Sequence, residues 1–81
     1  MMNSEHVYTV FSKNNCSYCV RAIDLIRSNN FQVVVKKIDE SDEFFAEMRK
    51  LAPMMRTMPV IMKNDQLVGG YSDLLNLFNS E

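Results

Sequence analysis

The sequence predicts an α/β fold in which a small mixed four-stranded sheet is flanked by three helices, in the order β-α-β-α-β-β-α. Three observations predict it. Short β-branched and aromatic runs alternate with runs of helical period. The first two of these runs are joined through a helix, which makes them parallel with a right-handed crossover. The last two are separated by only Asn64-Asp65, a two-residue loop that tolerates positive φ and closes an antiparallel hairpin.

Taken in order, "HVYTVF" at residues 6–11 is a strand by its composition. "SKNN" follows as a polar loop. From Cys16 the period changes: Cys19, Ala22, Ile23 and Ile26 fall at i, i+3, i+4 and i+7 on one helix face, with Arg21, Asp24 and Arg27 on others. Asn29 and Asn30 end that helix. "FQVVVKKID", residues 31–39, is the second strand, and its unbroken valines predict burial on both sheet faces. "SDEFFAEMRKLA", residues 41–52, is a helix with acids in its first turn and Arg49 and Lys50 in its last, as the macrodipole favours. Pro53 stops it. "PVIMK" and "QLVGG" make the hairpin, and a last helix carries Leu74, Leu77 and Phe78 on one face.

With 81 residues the expectation is one domain, 1–81. A chain of this size buries only about 60–65% of its unfolded surface, so modest stability is expected. The apolar fraction, 47%, is that of an ordinary globular protein, and the seven Met are expected to act as adaptable core filling. Nine Lys and Arg against ten Asp and Glu leave a net charge of −1, with no basic excess for nucleic acid and no acidic tail. No apolar run approaches the roughly 20 residues of a membrane span. The N-terminus lacks a charged region followed by an apolar core, so a cytoplasmic protein is expected.

Against this background stand two cysteines, Cys16 and Cys19, in "NNCSYCV". A bridge across two residues is a poor structural staple, because so short a loop removes little chain entropy. Closed tetrahedral zinc needs four ligands, and beyond the two thiols there is only His6 and no second ligand pair. An inert core pair and a redox pair remain, and the strand-to-helix placement favours the redox pair. Cys16 stands where free N–H groups and the positive end of the helix dipole favour a thiolate. A free thiol, with a pKa near 8.5, is only about 3% ionised at pH 7, whereas such helix-terminal cysteines reach roughly 3.5–7. Cys16 is therefore the expected nucleophile. Cys19, one turn deeper on the core face, is placed to attack a disulfide formed on Cys16.

"KNNCSYCVRA", "RTMPV" and "GGYSDL", in this order and at this spacing, resemble the glutaredoxins, which read K-x-x-C-P-Y-C, T-V-P and G-G-x-[ST]-D. The likeness covers nearly the whole chain and implies a thioredoxin-like fold. It implies a glutathione-dependent thiol-disulfide oxidoreductase that carries electrons to glutathionylated or disulfide-bonded client proteins. Ribonucleotide reductase is a common client in that family. A monomer is expected, with no tightly bound cofactor and glutathione as cosubstrate.

The resemblance also distributes roles. Pro59 matches a cis-proline facing the active cysteine. A cis bond there exposes the Met58 backbone to an extended peptide, with Thr57 beside it, in a one-residue β-augmentation. Lys13 and Arg56, each three residues from a key position, suit the glycyl carboxylate of glutathione. Tyr18 forms a groove wall. Gly70, Ser72 and Asp73, at a helix N-terminus where hydroxyl and carboxylate cap, receive the γ-glutamyl end. Three positions depart from the pattern. Met58 replaces valine, "PVIM" replaces "PQIF", and Ser17 replaces the usual proline. Some glutaredoxins lacking that proline hold a [2Fe–2S] cluster between two monomers, with the cysteine equivalent to Cys16 and glutathione as ligands. A cluster carrier is therefore one alternative. A thioredoxin-like redoxin reduced by a flavoprotein reductase is the other.

Overall fold

A computed structural model describes the backbone of residues 3–80 and the side chains of residues 6–80. Its elements are β1 (Asn3–Ser12), α1 (Ser17–Ser28), β2 (Phe31–Lys37), α2 (Asp42–Leu51), β3 (Val60–Lys63), β4 (Gln66–Gly69) and α3 (Tyr71–Asn79). The sheet order is β2-β1-β3-β4, with β1 parallel to β2 and antiparallel to β3, and β3 antiparallel to β4. This is the mixed sheet that the sequence predicts.

Alternation along the two central strands sorts the core into two layers. Tyr8, Val10 and Ile61 point to one face and meet Ala22, Ile26 and Leu74, so α1 and α3 cover that side. Phe11, Val60 and Met62 point to the other and meet Met48 and Ala52 of the α2 region. The period of two along a strand forces this split. Tyr8, Phe31 and Phe78 form an aromatic triangle, with ring centroids 5.2–5.7 Å apart, that ties α3 to β1 and β2.

Two expectations are corrected here. The valines of β2 are not buried on both faces: exposure alternates along the strand, and Val34 is 37% exposed. β2 is an edge strand. On its outer face the cover over Lys36 comes from its ion pair with Glu47 at 2.8 Å, with the ammonium lying over the Phe11 and Phe44 rings. Methionine is likewise not uniformly core: Met48 and Met62 are buried, but Met54 is 88% exposed. Helix ends follow local chemistry. Ser41 caps α2 by accepting the Phe44 N–H at 3.3 Å. Asn30 and Asn64 take up positive φ at the two turns.

Candidate active site

Cys16 is the N-cap of α1, in extended conformation, immediately after Asn15 at φ 58°. That left-handed residue turns the chain from β1 into the helix, a conformation asparagine tolerates. The loop is fastened from the far side. The Asn14 N–H donates to Asp39 Oδ2 at 2.9 Å, and Lys37 Nζ donates to Asn14 Oδ1 at 3.1 Å. Cys16 and Cys19 are joined by a disulfide, their Cα atoms 5.3 Å apart. Cys16 is half-buried, whereas Cys19 is 0% exposed. The Cys19 N–H donates to Cys16 Sγ at 3.2 Å. A sulfur at this position thus meets one of the helix's free donors, which favours the anion once the bond is reduced.

A two-part groove runs past this sulfur. The first part, about 400 Å³, holds Cys16 together with Lys13, Tyr18, Arg56, Thr57 and Met58. The second, about 560 Å³, is bounded by Pro59, Gly70, Ser72 and Asp73. Tyr18, Thr57 and Met58 line both parts and make them continuous. The groove thus gathers Lys13, Cys16, Tyr18, Arg56, Thr57, Met58, Pro59, Gly70, Ser72 and Asp73, while Cys19 is buried behind it and His6 lines neither part. The Met58–Pro59 peptide is cis.

The helix terminus at the far end differs from the sequence reading in one respect. Gly70, not Ser72 or Asp73, is the N-cap of α3. Asp73, at N3, accepts the Gly70 N–H at 2.8 Å, half of a capping box whose other half glycine has no side chain to supply. Gly69, at φ 123°, makes room for this: a Cβ there would run into the Asp73 carboxylate. Sequence reasoning also missed Tyr71 and Met55, which line the second part of the groove. The Tyr71 ring lies 5.6 Å from that of Tyr18, and Arg21 lies 5.4 Å from the Tyr18 centroid. Tyr71 sits inside "GGYSD", between Gly70 and Ser72, and its place at the first position of α3 is the signal that points to it.

A disulfide at a strand-to-helix junction, with one half-buried and one fully buried cysteine and a groove beside it, is the arrangement of a thiol-disulfide oxidoreductase of thioredoxin-like fold. The glutaredoxin family model matches residues 8–68, and the chain belongs to that family. Glutaredoxin-C4 of Arabidopsis thaliana is 28% identical over 95% of the chain, which spans 58% of that relative's length. Glutaredoxin-1 of vaccinia virus is 32% identical over 90% of the chain and 72% of its own. Among solved structures, a dithiolic glutaredoxin of Trypanosoma brucei brucei superposes with a TM-score of 0.77 at 31% identity, over 90% of this chain and 77% of the other. The family match ends before Gly70, Ser72 and Asp73; all three line the second part of the groove.

Proposed function

We propose that the protein is a glutathione-dependent glutaredoxin with Cys16 as nucleophile and Cys19 as resolving thiol. The Cys16 thiolate attacks the glutathione sulfur of a client–glutathione mixed disulfide. The old S–S bond breaks, the client thiolate leaves and takes a proton, and glutathione stays on Cys16 as a new disulfide. The thiolate of a second glutathione then attacks the glutathione sulfur, giving oxidised glutathione and restoring the Cys16 thiolate. With a protein disulfide, Cys16 attacks and Cys19 displaces the client, leaving the Cys16–Cys19 disulfide. Lys13 and Arg56 take the glycyl carboxylate, the Met58 backbone pairs with the cysteinyl residue, and Gly70, Ser72 and Asp73 take the γ-glutamyl end.

The observation that carries this reading is the charge layout of the groove. Among the described residues neither Lys13 nor Arg56 belongs to an ion pair, and both line the part that holds Cys16. Asp73 and the N-terminus of α3 stand in the other part. Glutathione has two carboxylates and one ammonium, and this layout offers each a partner. The test is the Michaelis constant for glutathione in Arg56→Ala and in Asp73→Asn, the latter keeping an acceptor for the Gly70 N–H. Each loses one charge-assisted contact, so a rise of about ten- to a hundredfold is expected. Unchanged constants in both variants would remove the assignment.

A further inference from the structure

Met supplies seven of the 81 residues, and no step of the proposed cycle uses a thioether. Four of them, Met48, Met55, Met58 and Met62, share one apolar cluster with Phe11 and Val60. Exposure sorts them. Met48 and Met62 are 5% and 4% exposed and closed to solvent. Met55 and Met58 are half-buried: they pack against the cluster and also line the groove. Met54 is 88% exposed and lines neither part of the groove. Of these five, Met58 alone borders the part that holds Cys16, and it borders the second part as well. Its side chain therefore stands between the apolar cluster and the path of the substrate. Valine, the usual residue of the T-V-P pattern, would pack there without a sulfur.

On the reading of Cys16 as the attacking thiol, we propose that Met58 is an oxidant-responsive modification site, whose conversion to the sulfoxide by a peroxide slows the reaction at Cys16. The Met58 sulfur attacks one oxygen of hydrogen peroxide. The O–O bond breaks, an S–O bond forms, and the other oxygen leaves as water. Sulfur loses two electrons and the peroxide gains them. The product is polar and chiral where the thioether was apolar and flexible. An apolar surface offers the new oxygen no hydrogen bond, so the side chain leaves the cluster for water. Arg56 and Thr57, its neighbours along the chain, border the Cys16 compartment and shift with it. A methionine sulfoxide reductase reverses the change: the oxygen departs as water while two thiols become a disulfide. Small thiols alone reopen the Cys16–Cys19 disulfide but leave the sulfoxide, so the two oxidations are separable.

The test treats the disulfide form with hydrogen peroxide, so that neither cysteine is a thiol, and locates sulfoxides by peptide mass. Dithiothreitol then reopens the disulfide before assay. Met54 and Met58 are expected to oxidise while Met48 and Met62 do not. Turnover of the mixed disulfide of glutathione and 2-mercaptoethanol should fall about tenfold as Met58 becomes sulfoxide, the order of what an unpaired polar group costs against an apolar surface. It should recover with methionine sulfoxide reductase. Each variant's rate is divided by its own rate before peroxide. Met58→Leu, close to methionine in volume, should hold its rate through the treatment. Met54→Leu and Met55→Leu should lose theirs as the unaltered protein does. An unchanged rate with Met58 fully oxidised would overturn the proposal. So would a Met58→Leu protein that loses as much as the unaltered one, or a Met58 that stays reduced once Met54 is fully oxidised. A disulfide peptide is run in parallel. Should the untreated protein reduce the peptide but ignore the mixed disulfide, with peroxide slowing the peptide reaction through Met58, the glutathione reading falls while the modification site stands.

Discussion

Cys16 and Cys19 share one helical turn and differ in almost everything else. Cys16 stands at the N-cap, half-buried in the groove, with the Cys19 N–H on its sulfur at 3.2 Å. Cys19 faces the core and exposes nothing. Cys16→Ser should abolish all thiol-disulfide activity. Cys19→Ser should retain deglutathionylation, which needs one protein thiol and free glutathione, but lose most protein-disulfide reduction, for want of a resolving thiol. Alkylation of the reduced protein at neutral pH, mapped by peptide mass, should label Cys16 first. If Cys19 labels first, or if Cys19→Ser loses deglutathionylation as fully as Cys16→Ser, the division of labour is wrong. At this scale the sequence spoke clearly wherever chemistry is tied to residue type: thiols, cations, a proline, a carboxylate. It was silent on residues that serve by position. Asn15 matters for its φ of 58°, and Tyr71 for the ring it sets against Tyr18. Neither property is a matter of composition.

At the scale of an element, the start of α3 couples backbone conformation to the Asp73 carboxylate that lines the groove. Gly69 at φ 123° and Gly70 at φ −95° look alike in the sequence but carry different constraints. A Cβ on Gly69 would meet the Asp73 carboxylate, and the backbone there disfavours L side chains. A Cβ on Gly70 would lie 3.8 Å from the Pro59 carbonyl oxygen, ordinary contact. Gly69→Ala should therefore cost about 1–3 kcal/mol and, by moving Asp73, raise the Michaelis constant for glutathione. Gly70→Ala should cost under about 1 kcal/mol, the loss of a tolerated N-cap residue. Urea unfolding of both variants checks the order, and a Gly70→Ala cost equal to or above that of Gly69→Ala defeats it. The elements themselves were legible because each carries a local signal: the hairpin in Asn64-Asp65, the end of α2 in Pro53, the face of α1 in its spacing. The double burial expected of β2 failed for a non-local reason. Three valines in a row are compatible with a central strand or with an edge strand, and the sheet order that decides is set by distant pairing of β1 with β3.

For the whole molecule, net charge and local field point in opposite directions, and ionic strength separates them. The chain carries −1 overall, and glutathione, with two carboxylates and one ammonium, is also anionic at neutral pH. Net charge alone predicts mild repulsion, relieved by salt, so that the rate rises as salt is added. The distribution of charge predicts the reverse. Glu47 and Glu40 are engaged by Lys36 and Lys37 on the β2 side, the former at 2.8 Å and the latter at 3.7 Å. Lys13 and Arg56 face the groove without ion pairs among the described residues. An approaching anion feels what lies within a Debye length, about 10 Å at 0.1 M salt, and a concave site focuses that field. Hence kcat/KM for the mixed disulfide of glutathione and 2-mercaptoethanol should fall several-fold between low salt and physiological salt. The fall should be shallower in Arg56→Ala, which removes one source of the field. A rate that rises with salt would mean that the total charge governs the encounter, and the cationic end of the groove would then have no part in drawing substrate to Cys16.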